Sequence, residues 1–231
     1  MIVNIHNNFR RNAGMHCGIE DGLVFMDKLI WDTYLELKAR DFATCYNITN
    51  NRAINLDIYD DFFGEVNPQV SGWNLAFGHD MSVENLIESW FKQADVYSCE
   101  WETCKPQNER CEDFLQLVWS EASRVGCSVN PSCIHDGESG IFLVCYYDKG
   151  WTPFKPPFQI GNKCSQCDNG YGFCEDGLCE CKKSCHHPGI GVLHRETCTC
   201  ACIFGMGHDC EGESYVDFLP ALRQNIKRFA D

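Results

Sequence analysis

Val83, Leu86, Ile87, Trp90, Phe91 and Ala94 fall at i, i+3, i+4, i+7, i+8 and i+11, the positions of one helical face, and predict the strongest helix in the chain. Ile2, Ile5 and Phe9 trace a shorter apolar stripe, and Trp31, Leu35, Ala39 and Phe42 trace another, so two further helices are expected. GIFLVCYYD at 140–148 differs in kind. Its aromatic and β-branched residues form a short continuous run bounded by glycine, which suits a buried strand. Helices flanking strands imply a layered α/β/α core. The pattern then changes, since TPFKPPFQIGNK at 152–163 holds three prolines and a glycine and reads as a linker or extended strap. Residues 164–212 are rich in cysteine and glycine with little apolar periodicity, so cross-links must stand in for a core. Periodicity returns at Leu219, Leu222, Ile226 and Phe229, which predict a short amphipathic helix packing on its own chain.

The 231 residues carry 33 acidic and 19 basic side chains, a formal net charge of −14. That excess repels phosphate backbones and argues against nucleic-acid partners. No run reaches the roughly 18 apolar residues of a transmembrane span. No basic-then-apolar opening reads as a signal peptide, and the chain is taken to be a secreted protein without its leader. Cysteine carries that reading. There are 18, ten of them from Cys164 to Cys210, a density that an oxidising compartment converts into bridges. Zinc is the rival use: Cys164-Ser-Gln-Cys167 is a fair half-site, but the remaining cysteines form no second clean pair.

Other chemistry has weaker support. Ser120, Asp113 and a histidine can be combined on paper, but no GxSxG-type turn activates the serine. DIYDDFFGE at 57–65 lacks alternating oxygen ligands and reads as a solvated acidic loop, and His186 and His187 read as turn residues. Asn47-Ile48-Thr49 is the usable glycosylation sequon, because Asn130 is followed by proline.

Several stretches, in order, resemble the CAP superfamily of cysteine-rich secretory proteins, insect venom allergens and plant pathogenesis-related proteins. IVNIHNNFRR, with His6, Asn7 and Arg10, looks like its first helix, where His6 takes a structural hydrogen bond. WDTYLELKARDFATC looks like its second helix, ending at Cys45, and GWNL at 72–75 matches its GENL segment in all but one position. ESWFKQADVY resembles a further helix, and FLQLVW with RVGC, then FLVCYYDKG, resemble its two signature segments. The resemblance implies an α+β fold, a three-layer α/β/α sandwich, over residues 1–155. Residues 156–180 look like the linker and cysteine-rich hinge of secretory relatives. Residues 181–212, with a C-x-C step and Gly205 and Gly207 before Cys210, look like an EGF-like module, leaving 213–231 for the terminal helix.

Many members of that superfamily hold a divalent metal with two histidines and two glutamates. Carried over one by one, the first histidine, four residues after Cys45, is Thr49 here, and the first glutamate, the middle of GEN, is Trp73. The second glutamate, three residues after Trp90, is Gln93, and the second histidine, three before Gln116, is Asp113. Thr, Trp and Gln are poor ligands, and one carboxylate does not make a tight site. The implied site is therefore lost, no metal or other cofactor is expected, and Trp73 is expected to fill the space with apolar surface.

The same resemblance implies the bridges Cys45–Cys133, Cys127–Cys145, Cys164–Cys174, Cys167–Cys179 and Cys202–Cys210. It leaves Cys17, Cys99, Cys104 and Cys111 with three pairings open, and makes CEWETCKPQNERC a cross-linked surface loop. With neither metal nor nucleophile, the expected function is that of a secreted, non-enzymatic protein working through extracellular protein partners, as a platform or a component of an assembly. Lipid or sterol carriage, reported for several superfamily members, is the alternative. Channel blockade, as in venom relatives, relies on a helical tail that the EGF-like continuation replaces.

Overall fold

The computed structural model describes residues 1–18, 22–45, 72–105, 110–152, 155–167, 173–181, 185, 190–194, 199–204 and 210. In chain order these hold α1 (Ile2–Arg11), β1 (Leu23–Phe25), β2 (Ile30–Trp31), α2 (Thr33–Phe42), β3 (Gly72–Gly78), α3 (Val83–Lys92), β4 (Tyr97–Ser98), β5 (Thr103–Cys104), α4 (Glu112–Leu117), β6 (Arg124–His135), β7 (Glu138–Tyr147), β8 (Gln159–Ile160), β9 (Phe173–Glu175), β10 (Leu178–Glu180), β11 (Ile190–His194) and β12 (Thr199–Phe204). Asn47 and Thr49, the acidic stretch at 57–65, His186, His187 and the terminal helix expected at 213–231 lie outside the described residues. The chain divides into two compact units, Met1–Ser165 with Glu175–Leu178, and Gln166–Cys174 with Cys179–Asp231.

The first unit is built on a four-stranded sheet in the order β2-β6-β7-β3, with β2 parallel to β6 and the other pairs antiparallel. Its central hairpin turns at Asp136 and Gly137, whose φ angles of 52° and 83° give the two-residue turn that matches the twist of the strands it joins. Side chains then alternate. Leu143, Cys145 and Tyr147 of β7 join Val125 and Cys127 of β6 in the larger core, together with Leu86, Ile87 and Trp90 of α3 and Phe114 and Leu117 of α4. The apolar residues of α1 pack onto the same core. Phe142, Val144 and Tyr146 face the other way, onto Leu35 and Ala39 of α2. A helical layer covers each face, which is the expected α/β/α sandwich. Each large apolar side chain so buried stabilises the fold by about 1.5–3 kcal/mol.

One extra residue in β6 decides a cross-link. Asn130 pairs with Phe142 and Cys133 with Gly140, so three steps along β6 span two along β7. Pro131 sits in this bulge, where no ladder N–H is required of it. The slip inverts the alternation: Val125, Cys127 and Val129 face the larger core, whereas Cys133 emerges on the α2 side. There it bonds to Cys45, just beyond the end of α2, with a Cα–Cα distance of 5.0 Å. Close by, α2 lies so near β6 that a Cβ at Gly126 would strike the Glu36 backbone nitrogen and the Asp32 carbonyl.

Three boundaries differ from the apolar pattern. Trp31 is not part of α2 but ends β2, because the Asp32 carboxylate accepts from the amides of Tyr34 (2.8 Å) and Leu35 (3.0 Å) and starts the helix after it. Ala94 falls beyond α3, in a 3-10 turn over Gln93–Val96. The strap is held where β8 pairs with β1, and Glu175–Leu178, within the expected hinge, belong to the first unit. Leu178 is fully buried in the larger core, while Glu175 and Asp176 pair with Lys28 (2.7 Å) and Arg11 (2.8 Å). In the second unit β11 and β12 form an antiparallel hairpin, and the bridges Cys167–Cys179, Cys185–Cys200 and Cys202–Cys210 hold it in place of a core.

Candidate functional site

The polar residues of α1 are structural struts. Arg10 is wholly buried, and its guanidinium donates to the carbonyl oxygens of Asp27 (2.8 and 3.1 Å), Leu117 (3.1 Å), Trp119 (2.8 Å), Ser120 (3.4 Å) and Ala122 (3.0 Å). Burial lowers its pKa to about 10, so it stays charged. Asn7 exchanges two hydrogen bonds with the backbone of Leu29, each 2.9 Å. His6 lies 3.0 Å from the Ile2 carbonyl through Nδ1 and 3.0 Å from the Tyr147 hydroxyl through Nε2. A carbonyl can only accept, so Nδ1 carries the proton and Nε2 accepts from Tyr147. Desolvation lowers the His6 pKa to about 4 and raises that of Tyr147 well above its usual value, so both stay neutral.

Trp90 and Gln116, which lie beside the positions that the family resemblance assigns to metal ligands, are each held by hydrogen bonds to backbone. Trp90 is buried and its Nε1 donates to the Leu75 carbonyl (3.1 Å). Gln116 donates to the Lys149 carbonyl (3.0 Å) and accepts from the Trp151 amide (2.8 Å). Between them the structure brings Gln93 and Asp113 together: Gln93 Nε2 donates to Asp113 Oδ2 at 2.8 Å. The other end of the same amide caps α4, since Gln93 Oε1 accepts from the backbone amides of Asp113 (3.1 Å) and Phe114 (3.4 Å). The helix needs this help, because Cys111 at its N-cap offers no side-chain acceptor bond.

Asn74 completes the cluster. It is fully buried, and its Nδ2 donates to both the backbone oxygen (2.8 Å) and Oδ1 (3.2 Å) of Asp113. Aiming the nitrogen this way leaves Asn74 Oδ1 buried without a partner. Burial raises the Asp113 pKa, opposed chiefly by the hydrogen bond from Gln93. Trp73, by contrast, does not fill this space. It packs against the smaller core, as Leu75 and Phe77 do, and strand alternation sets it on the face opposite Asn74. In the sequence Asn74 stands out only within GWNL, where its match to the GENL segment is the signal that points to it.

A divalent ion does not fit these residues. Both Asp113 oxygens face amide N–H groups, and Gln93 Oε1 faces two backbone N–H groups, so a cation here would meet hydrogens rather than lone pairs. Elsewhere, His6 lies near the sulfurs of Cys127 and Cys145, but those sulfurs are bonded to each other and offer no thiolate.

The four cysteines left open by the sequence pair as Cys17–Cys99 and Cys104–Cys111. Together with Cys45–Cys133 and Cys127–Cys145 they fasten the first unit, and Cys164, Cys174 and Cys181 are oxidised as well. Residues 3–147, which contain the α1 struts, the sheet and the Gln93–Asp113 cluster, match the family model described as CAP, the cysteine-rich secretory protein family. The chain belongs to this family.

Among CAP relatives, GLIPR1-like protein 1 of Mus musculus is 27% identical over 195 residues, covering 80% of this chain and 74% of that protein. Cysteine-rich venom protein Mr30 of Conus marmoreus is 27% identical over 221 residues, 94% of this chain and 66% of the relative. Peptidase inhibitor 16 of Mus musculus reaches 36% identity over 104 residues, 43% of this chain, which spans only 20% of that longer protein. Of solved structures, Schistosoma mansoni venom allergen-like protein 4 is 22% identical with a TM-score of 0.50, covering 72% of this chain and 96% of its own. Na-ASP-1 is 18% identical with a TM-score of 0.52, covering 77% and 45%. At these identities the structural likeness is one of fold. None of these relatives carries the name of an enzyme, and among the described residues of this CAP chain no helix is long and apolar enough to cross a membrane.

Proposed function

We propose that this CAP protein is secreted, has no enzymatic activity and works through protein contacts on its surface, including as a component of an extracellular assembly. The observation that carries the reading is the Asp113 carboxylate held between the amides of Gln93 and Asn74. That arrangement serves to order the start of α4 and not to present ligands to an ion. Two further features support it. Both nitrogens of His6 are engaged, by Ile2 and Tyr147, so this histidine is not poised as a base. The seven bridges named above suit an oxidising compartment and a rigid scaffold. In this reading the tail, with its EGF-like resemblance, is a second contact surface.

Metal addition tests the central step. Excess zinc should leave the thermal midpoint unchanged, and a rise of several degrees would overturn the reading, because a ligand that binds only the folded state must raise it. Size tests the assembly. Native material should elute above the 26.4 kDa of the chain or with a retained partner; a bare monomer counts against assembly.

A further inference from the structure

The β4–β5 hairpin carries a tryptophan that the fold does not use. Tyr97 pairs with Cys104 and Ser98 with Thr103, leaving Cys99, Glu100, Trp101 and Glu102 as the tip. Trp101 is 64% exposed, and Glu100 and Glu102 on either side are exposed too. Both feet of the hairpin are covalently fixed. Cys99 is bonded to Cys17, at the end of the turn after α1, and Cys104 to the fully buried Cys111 that precedes α4. Glu102 holds a φ of 53°, a left-handed conformation unusual for a non-glycine residue and one that turns the chain sharply at the tip. An indole displayed on a short, doubly anchored hairpin contributes nothing to the core, yet it loses little conformational freedom on being covered. Tryptophan is also the residue most often found to dominate protein contacts.

We propose that the Glu100-Trp101-Glu102 tip is a recognition element for a protein partner that offers an apolar pocket rimmed by arginine or lysine. The two carboxylates favour a cationic rim, and an arginine there can also lie on the indole face. A second copy of this chain is a poor occupant, since its net charge of −14 would oppose the approach of the acidic tip. The sharp turn also disfavours a peptidase cleft as the occupant, because such clefts take extended segments. This inference rests on the reading of the chain as a surface-acting protein and names one place where that surface is read.

The probe is a phage library of disulfide-constrained random peptides, selected on the full chain. Enriched peptides should carry Arg or Lys beside apolar residues. They should bind Trp101→Ala at least ~30-fold more weakly and Glu100→Gln/Glu102→Gln roughly ten-fold more weakly. Affinity should fall as salt rises, and Trp31→Ala, at another exposed tryptophan, should change nothing. Thermal midpoints of the tip variants should match the parent, since the side chains removed are exposed. Peptides that bind Trp101→Ala as well as the parent, or that lack basic residues, overturn the proposal while leaving a surface role elsewhere intact. Selection that yields no binder to any part of the chain overturns both.

Discussion

Gln93→Glu is the substitution that most directly probes the Gln93–Asp113 cluster, and it restores the residue that the family resemblance places at this position. The change keeps the side-chain length and the acceptor that caps α4, but it replaces the N–H facing Asp113 Oδ2 at 2.8 Å with a carboxylate oxygen. Two charges about 3 Å apart repel by roughly 5 kcal/mol at an effective dielectric near 20. The pair avoids that repulsion by holding one proton, as carboxylates sharing a site do. Keeping a carboxyl protonated at pH 7.5 against an ordinary value near 4.3 costs at most about 4 kcal/mol. Asp113, already raised by burial, makes the proton easier to hold. The expected loss is therefore about 2–4 kcal/mol at pH 7.5, or roughly 5–15 °C in thermal midpoint for a chain of this size. The sign follows from linkage: the folded pair binds its proton more tightly than the unfolded chain, so the deficit grows as pH rises and fades as it falls. At pH 4.5 it should shrink to a few degrees. Gln93→Ala is the control, because it loses hydrogen bonds without adding charge and its deficit should vary little with pH. Thermal melts of the three proteins at both pH values decide the matter. A Gln93→Glu deficit equal at pH 4.5 and 7.5, or no deficit, refutes the hydrogen-bonded pairing.

His6 gives a pH dependence of opposite sense: its folded pKa of about 4 lies below the unfolded 6.5, so the unfolded chain takes up the proton first and stability falls as pH drops from 6.5 towards 4. The full span is worth about 3 kcal/mol, and His6→Gln should flatten that slope in melts across this range. Arg10→Lys keeps the charge but cannot reproduce donation to five separate carbonyls, and should lower stability by about 2–4 kcal/mol in denaturant titrations. Deleting Ser132 removes the extra residue of the β6 bulge but leaves Cys133 opposite Gly140, two steps from Asn130 and on the α2 side; the bond to Cys45 should survive, so thiol titration should find neither Cys45 nor Cys133 free, as in the parent.

Periodicity reveals α1, α3 and β7 because each buries one face, or both, against a continuous core. It misplaced Trp31 because an apolar stripe carries no stop signal; that signal lay beside it in Asp32, whose carboxylate caps α2. The β6 bulge is harder to read. Val125, Cys127, Val129 and Cys133 all sit at odd positions, and strict alternation would place all four on one face. Only the pairing of Asn130 with Phe142 and of Cys133 with Gly140 reveals the slip, and only the slip lets Cys133 reach Cys45. Arg10 was equally opaque. A charged residue at the end of an apolar stripe reads as solvent-facing until six carbonyl-directed bonds are seen around it.

The site positions could be counted because Trp90 and Gln116 are pinned by backbone hydrogen bonds, but counting treats each substitution as a separate loss. In space two of them answer each other. A glutamate facing a histidine places the donor on the α4 side, whereas Gln93 facing Asp113 places it on the α3 side. The reversal constrains the pair. A carboxylate at 113 is tolerable beside an amide and not beside a second carboxylate, so Asp113 requires a neutral donor at 93. Glutamine is the replacement of the same length that still leaves an oxygen to cap the amides of Asp113 and Phe114. The cluster thus joins the end of α3 to the start of α4, while the lone pairs that an ion needs are turned towards N–H groups.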